Sequence, residues 1–546
     1  MHPSHVVRTS RRQFLELAAA GVLTLRSGVG RANDESAATG GLVIGQSEGA
    51  TAAAAVLADG GNAVDAVVAA ALVAGVVAVS RCGIGGYGGH MVVGVGEKVT
   101  AIDFNSTAPA AAREDMFLLD PQGRVRGSVN YHGWLAAGVP GTLAGLQLAI
   151  DQFGTCPLSQ LIEPAIRAAR DGFTISAPLA RAIAASAPQF QRDAGSKKLF
   201  FADGKPLAEG ATLRNPDLAA MLAELAKANS VDSFYRGPIA RAIAGEFQKH
   251  GGLVTERDLA AYEARIVEPV SLTWRGSTIS TAPLTAGGAT VLEALAALRA
   301  LGWESLDPAD PKTTHARIEA LRLAWNDRLK FMGDPDGGPV PVARLLSESY
   351  AAQSAEQIRQ AVDHQRLISA STDGRPAGGT VHLSACDRSG MMAALTMTHG
   401  DGFGARVTVE GLGLILGHGM SRFEPRPGYP NSIRPGLRPL DNMCPTVVVR
   451  DGRPIVAMGA TGGRRIPNTL FDVLVNLVGR GHSLVESAAA PRVHTEGGDK
   501  LQMAPGWSAR DREYLVQVGY TVQPGGGAEF NGLARDGTTG TLTSVS

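Results

Sequence analysis

The chain has 546 residues, 44% hydrophobic and 19% charged, with 68 Gly, 30 Pro and aromatics at 5%. A charged fraction below the usual quarter beside a normal apolar one excludes a disordered chain and fits a large buried interior. Lys+Arg 51 and Asp+Glu 51 cancel, so the chain has no basic footprint for nucleic acid, and no such partner is expected.

Ser10-Arg11-Arg12-Gln13-Phe14-Leu15 is a twin-arginine export pattern, followed by an apolar stretch from Leu17 to Leu25. That stretch is too short for a transmembrane helix, which needs about 20 residues. Arg26 closes it, and Gly30-Arg31-Ala32 offers small residues for cleavage, so residues 1–32 read as a signal peptide. Without them the chain loses five Arg and one Glu and carries a net charge of −4. The expected destination is the periplasm or the medium, with no stable membrane insertion. The Ala/Val run from Ala63 to Val79 holds Asp65 and follows Gly60-Gly61, which marks a core helix.

After a polar linker from Asn33 to Gly40, Gly41 to Gly45 reads as a short strand, and Ala52 to Val79 as helices broken at Gly60-Gly61. A glycine-rich turn from Gly83 to Gly89 leads to strands at Met91-Val95 and Val99-Phe104. From Gly141 to about Gln360 the three-to-four-residue apolar spacing predicts helices, at Ala180-Ala185, Leu218-Ala228, Ala240-Phe247, Val291-Leu301 and Ala316-Leu329. A strand pair at Val270-Trp274 and Thr278-Thr281 interrupts them. Ser369 to Gly379 crowds Ser, Thr, Asp, Gly and Pro together as an exposed loop. Strands follow at Val381-Ala385, Ala393-Thr398, Leu414-Leu416, Thr446-Val449 and Ile455-Gly459, then helices at Leu470-Val478 and Ala509-Val518. This order predicts a layered α+β protein with its helices outside.

The four cysteines (Cys82, Cys156, Cys386, Cys444) form no Cys-x-x-Cys, which excludes zinc-ribbon and thioredoxin-like chemistry and favours free buried thiols. The 12 His include no His-Glu-x-x-His and no ligand cluster, so neither a metal nor a cofactor is expected. Gly83-Ile84-Gly85-Gly86-Tyr87-Gly88 fits G-x-G-x-x-G, but a helix precedes it and a strand follows. A dinucleotide site needs the reverse. Gly45-Gln46-Ser47-Glu48-Gly49 matches the nucleophile elbow, which makes Ser47 a competing nucleophile. However, no earlier sheet precedes it to donate half of an oxyanion hole.

The more informative junction is Gly378-Gly379 into Thr380-Val381-His382-Leu383-Ser384. A Thr that opens a strand directly after an exposed loop becomes an N-terminal nucleophile once the loop is cut. Its new α-amino group then serves as general base to its own hydroxyl. Branching at Cβ restricts χ1 and aims Oγ.

The chain resembles the γ-glutamyltranspeptidase family over most of its length. The resemblance rests on Gly61-Asn62-Ala63-Val64-Asp65-Ala66, the Gly83–Gly89 turn, Gly138-Val139-Pro140-Gly141-Thr142 and Arg170-Asp171-Gly172-Phe173. It continues through Asp327-Arg328 with Gly333-Asp334-Pro335, the Thr380 junction, Pro435-Gly436-x-Arg438-Pro439-Leu440, Gly462-Gly463-x-Arg465-Ile466 and Ala488 to Arg492. It implies the αββα four-layer sandwich of N-terminal nucleophile hydrolases, made as a proenzyme that cuts itself before Thr380. The heavy part would be residues 33–379 and the light part 380–546, and the two remain each other's partner. Thr398 matches the threonine that supports the nucleophile, and the amides of Gly462 and Gly463 match the oxyanion donors. The final residues, Ser544-Val545-Ser546, fall about where the family's closing segment would begin.

The resemblance also locates a changed substrate pocket. Where the family holds the substrate α-carboxylate with an Arg, this chain has Asn105. Where it holds the α-ammonium, this chain has Gly400, Gly419 and Arg422. The paired serines become Asp441-Asn442, and Arg464 adds a cation beside the oxyanion glycines. The expectation is an amidohydrolase or acyltransferase for a small-molecule amide. Glutathione-type γ-glutamyl cleavage is the family default, and glutaryl-, succinyl- or oxamate-like acyl groups answer the charge change. Relatives such as β-lactam side-chain acylases and oxamate amidohydrolases are the closer analogy. A Ser47 hydrolase and a non-catalytic exported binding protein on the same fold are the alternatives.

Overall fold

A computed structural model describes residues 41–283, 285–369 and 379–546. The twin-arginine segment, the polar linker and most of the loop before Thr380 lie outside the described residues.

Twelve strands form two antiparallel six-stranded sheets. In chain order they are β1 (Gly41–Ile44), β2 (Gly88–Val95), β3 (Lys98–Asp103), β4 (Arg265–Val267), β5 (Val270–Trp274) and β6 (Ser277–Thr281). They continue as β7 (Val381–Asp387), β8 (Met392–Thr398), β9 (Thr446–Arg450), β10 (Arg453–Thr461), β11 (Glu529–Arg535) and β12 (Leu542–Val545). The first sheet has the order β1-β7-β8-β2-β3-β4 and the second β12-β11-β10-β9-β6-β5.

Side-chain alternation assembles the layers. On β7, Val381, Leu383 and Ala385 pack outward with α2 (Ala63–Val77), while Cys386 joins Val92, Val447, Ala457 and Leu533 between the sheets. On β9 and β10, Val448, Val456 and Met458 pack outward against α3 (Gly288–Leu301) and α5 (Arg465–Leu474). The result is the expected helix–sheet–sheet–helix sandwich. Every residue of α2 is buried, so the helix is apolar all round. Its start is fixed by a capping box between Asn62 and Asp65, and the Asp65 carboxylate also accepts the Thr155 hydroxyl at 2.6 Å. No helix among the described residues is long and apolar enough to cross a membrane.

The expected helices of the middle region are present, α4 (Pro311–Phe331) among them. Strands β4, β11 and β12 were not anticipated from the sequence. β4 has three residues, and β11 carries Glu529, Asn531 and Gly532, which blur its alternation. The expected Leu414–Leu416 strand is a two-residue Leu414–Ile415 pairing. All four cysteines are free; three are buried and Cys156 is half-buried. Burial pushes the Cys82 and Cys386 thiols up to about 12, away from thiolate chemistry.

Candidate active site

The hairpin of β7 and β8 sets the centre of the site. Its register pairs Val381 with Met397, so one step beyond the ladder Thr380 stands opposite Thr398. Both are buried. Thr380 Oγ1 donates to Thr398 Oγ1 at 3.4 Å, and Thr398 Oγ1 donates to the Gly379 carbonyl. The Gly400 amide donates to Thr398 Oγ1 at 2.8 Å. One hydroxyl therefore touches both the Thr380 hydroxyl and the carbonyl of the peptide bond before it. The neighbouring histidines are not bases for this chemistry. His382 spends both ring nitrogens on Thr396 (2.7 Å) and Ser384 (2.9 Å), and burial pushes His382 and His399 down to about 3.

Gly462 (φ +149°) and Gly463 (φ +60°) turn the chain from β10 into α5, with a backbone that L side chains rarely adopt. Among the described residues no acceptor takes their amide N–H groups. The pair precedes a helix N-terminus, where orphan donors and the helix dipole favour an anion. Arg81 ties these glycines to the Thr380 end of the sandwich. A Cβ on Gly379 would lie 3.5 Å from the Arg81 Cα, and the Arg81 guanidinium pairs at 2.8 Å with Glu529, the register partner of Thr461.

A small cavity of about 70 Å³ adjoins this end. Its lining includes Arg422, Asn442, Arg464, Arg328, Trp325 and Tyr131. Arg422 donates to the Gly400 carbonyl, so a single residue separates the cavity from Thr398. Arg464 pairs with Glu496 at 2.6 Å, and Glu424, also in the wall, is bound by Arg426 at 2.6 Å. Arg328 is buried and spends its donors on the Ala286 and Asp441 backbone carbonyls.

Of the site residues singled out in the sequence, Thr380, Thr398 and the backbone of Gly400 are brought together directly. Arg422, Asn442 and Arg464 line the adjoining cavity. Asn105 and Asp441 do not line that cavity. Asn105 is fully buried, and its Nδ2 serves Pro439 O (2.8 Å), Thr285 Oγ1 (3.0 Å) and Asp441 Oδ2 (3.1 Å). Asp441 accepts from His90 Nε2 at 2.8 Å and from the Met443 amide at 2.7 Å. Alternation along the chain explains this: Leu440 and Asn442 face the cavity, and Asp441 between them faces away. Gly400 supplies no side chain and has none to spare room for. A Cβ there would meet the His418 ring at 2.2 Å, and one at Gly419 would meet Ser106 Oγ at 2.2 Å. Ser47 is exposed, and its hydroxyl pairs with Glu48 at 2.5 Å, so it lacks the histidine an elbow serine needs. The Gly83–Gly89 turn packs on the site, Tyr87 N donating to Thr398 O at 3.1 Å.

Sequence reasoning missed His90, Asp103, Arg328, Tyr131 and His418. The signal available was a polar pair inside apolar strands: His90 and Asp103 are cross-strand partners of β2 and β3.

A four-layer sandwich with a buried Thr at the head of a central strand defines an amidohydrolase of the N-terminal nucleophile type. The Gamma-glutamyltranspeptidase family model matches residues 49–546. The "Glutathione hydrolase proenzyme" of Escherichia coli (strain K12) is 35% identical over 482 residues, 86% of this chain and 83% of that protein. The "Acylase ACY 1 proenzyme" of Pseudomonas sp. (strain SE83) is 35% identical over 466 residues, 84% and 83% of the two chains. The crystal structure of cephalosporin acylase from Bacillus halodurans is similar with a TM-score of 0.85 and 27% identity, covering 96% of this chain and 97% of that one. The chain belongs to the γ-glutamyltranspeptidase family.

Proposed function

We propose that this protein is an exported proenzyme that cuts itself between Gly379 and Thr380 and then hydrolyses, or transfers the acyl group of, a small amide whose acyl part carries a free carboxylate. The observation that carries the reading is the Thr380–Thr398–Gly379 contact beside a cavity walled by Arg422, Arg464 and Arg328. In the proenzyme Thr398 polarises the Gly379 carbonyl. Thr380 Oγ bonds to that carbon, the C–N bond breaks, and the nitrogen takes the proton that Oγ gives up. Water then hydrolyses the resulting ester, leaving residues 33–379 and 380–546 and a free α-amino group on Thr380. In the mature enzyme this amine takes the Oγ proton as the hydroxyl attacks the substrate carbonyl, and it returns the proton to the leaving amine. The amides of Gly462 and Gly463 hold the oxyanion, each donor worth about 3–4 kcal/mol by comparison with other oxyanion holes.

Two relatives carry acylase names, which agrees with an acyl amide as the substrate. The second reading is a γ-glutamyl donor, which the E. coli glutathione hydrolase proenzyme favours. Matched γ-glutamyl- and glutaryl-p-nitroanilides separate the two. The expected result is a higher kcat/KM for the glutaryl compound, and a clear γ-glutamyl preference overturns the carboxyacyl reading.

Export rests on Arg11 and Arg12. A protein carrying Lys at both positions is expected to stay in the cytoplasm, as cell fractionation followed by immunoblotting would show. Unchanged export of that variant would mean that residues 1–32 are read by another route.

A further inference from the structure

Behind the cavity lies a closed set of charges that the catalytic steps do not use. His90 on β2 is fully buried between two carboxylates. Its Nε2 is 2.8 Å from Asp441 Oδ2, and its Nδ1 is 3.5 Å from Asp103 Oδ1. Arg438 stands 3.1 Å from the other Asp103 oxygen, and the Asn105 amide donates to Asp103 Oδ1 at 3.0 Å. An imidazole with a carboxylate near each nitrogen is favoured in its doubly protonated form, because in either neutral tautomer one lone pair would face an anion. The same geometry accounts for the titration. Burial pulls His90 down, but the carboxylates of Asp441 and Asp103 outweigh it and hold the group above the ordinary histidine range.

We propose that His90 is a specificity-determining positioning residue, holding the Asp441 carboxylate away from the acyl cavity so that the guanidiniums there meet the carboxylate of the substrate. The proposal rests on the carboxyacyl reading above and explains why a chain with an Asp next to the pocket would still select an anion. Without the His90 proton, only neutral donors, the Asn105 amide and the Met443 N–H, remain on the buried Asp441 carboxylate oxygens. Arg422, Arg464 and Arg328 line the cavity on the other side of the same backbone and attract the carboxylate toward it, in competition with their own partners, the Gly400 carbonyl, Glu496 and the Ala286 and Asp441 carbonyls. There it competes with an anionic acyl group and offers a partner to an ammonium. The charged groups facing His90 are Asp103, Asp441 and Arg438, with Arg328 on the Asp441 backbone carbonyl. Because the folded value is raised, the contact is fully present below the ordinary histidine range and is lost as pH rises through the folded value.

The test is the ratio of kcat/KM for glutaryl- over γ-glutamyl-p-nitroanilide, measured across pH on protein already cut at Thr380. In the wild type the glutaryl KM is expected to rise on the alkaline side. His90→Leu is expected to lower the ratio at least tenfold, mainly through that KM, and to abolish the pH dependence of KM. The double variant His90→Leu/Asp441→Asn, with no anion left to withhold, is expected to regain the wild-type ratio with a flat profile. If His90→Leu alone does not fold, the double variant decides, and a lowered ratio there overturns the proposal. A wild type that prefers the γ-glutamyl compound overturns the carboxyacyl reading. A wild type that prefers the glutaryl compound, with a ratio unmoved by His90→Leu, overturns only the role of His90.

Discussion

Thr380→Ala is expected to give a single uncut chain without amidase activity. On the proposed mechanism the variant loses the Oγ that would form the ester with Gly379 and, later, the acyl-enzyme, while Thr398 keeps its contacts to Gly379 and Gly400. Removing the nucleophile of a covalent hydrolase costs on the order of 10⁶ in kcat, so the residual rate should sit at background. Thr380→Ser should still be cut, but more slowly, because Ser lacks the methyl that restricts χ1. Denaturing gels of the purified variants read both results. A Thr380→Ala chain that still splits at this bond would assign the cut to another protease.

Arg422→Ala is expected to reduce kcat/KM for a glutaryl amide ten- to hundredfold, mostly in KM. A hydrogen bond to a charged group is worth about 1.5–3 kcal/mol, and at about 1.4 kcal/mol per decade that spans the stated range. The same guanidinium bears on the opposite donor. An ammonium about 4 Å from Arg422 would be repelled by about 4 kcal/mol at an effective dielectric of 20, close to a thousandfold in affinity. The variant should therefore gain on γ-glutamyl amides while it loses on glutaryl ones. Arg422→Lys should recover part of the glutaryl activity, because the charge remains while the planar fork is lost. Arg422 also carries the Gly400 carbonyl, so the variant must be assayed after its cleavage state is known. Unchanged glutaryl kinetics in Arg422→Ala would remove this residue from the acyl pocket.

Much of this was legible in the residues, for identifiable reasons. Short, largely apolar runs after an exposed loop located β7 and β8, and their hairpin register then dictated that Thr380 meets Thr398. The all-apolar run of α2 with its Asn62–Asp65 box was equally plain. The candidate pocket was only half legible. Arg422, Asn442 and Arg464 reach the cavity, whereas Asn105 and Asp441 face away from it. Alignment gives position along the chain, whereas orientation is set by a partner elsewhere; here that partner is His90, 351 residues from Asp441. The blocked side-chain space at Gly400 and Gly419 was invisible for the same reason, since His418 and Ser106 arrive from other loops. Strand β4 stayed hidden because three residues show no period.

The central claim is that Thr380 becomes the chain terminus and carries the acyl group. Intact-mass spectrometry of the exported protein, quenched with acid during turnover of a slow glutaryl ester, tests it most directly. The account predicts a fragment of residues 380–546 whose mass is raised by one glutaryl group, the adduct lying on its N-terminal Thr380. An uncut chain that turns over the ester, or an adduct on any other residue, would contradict it.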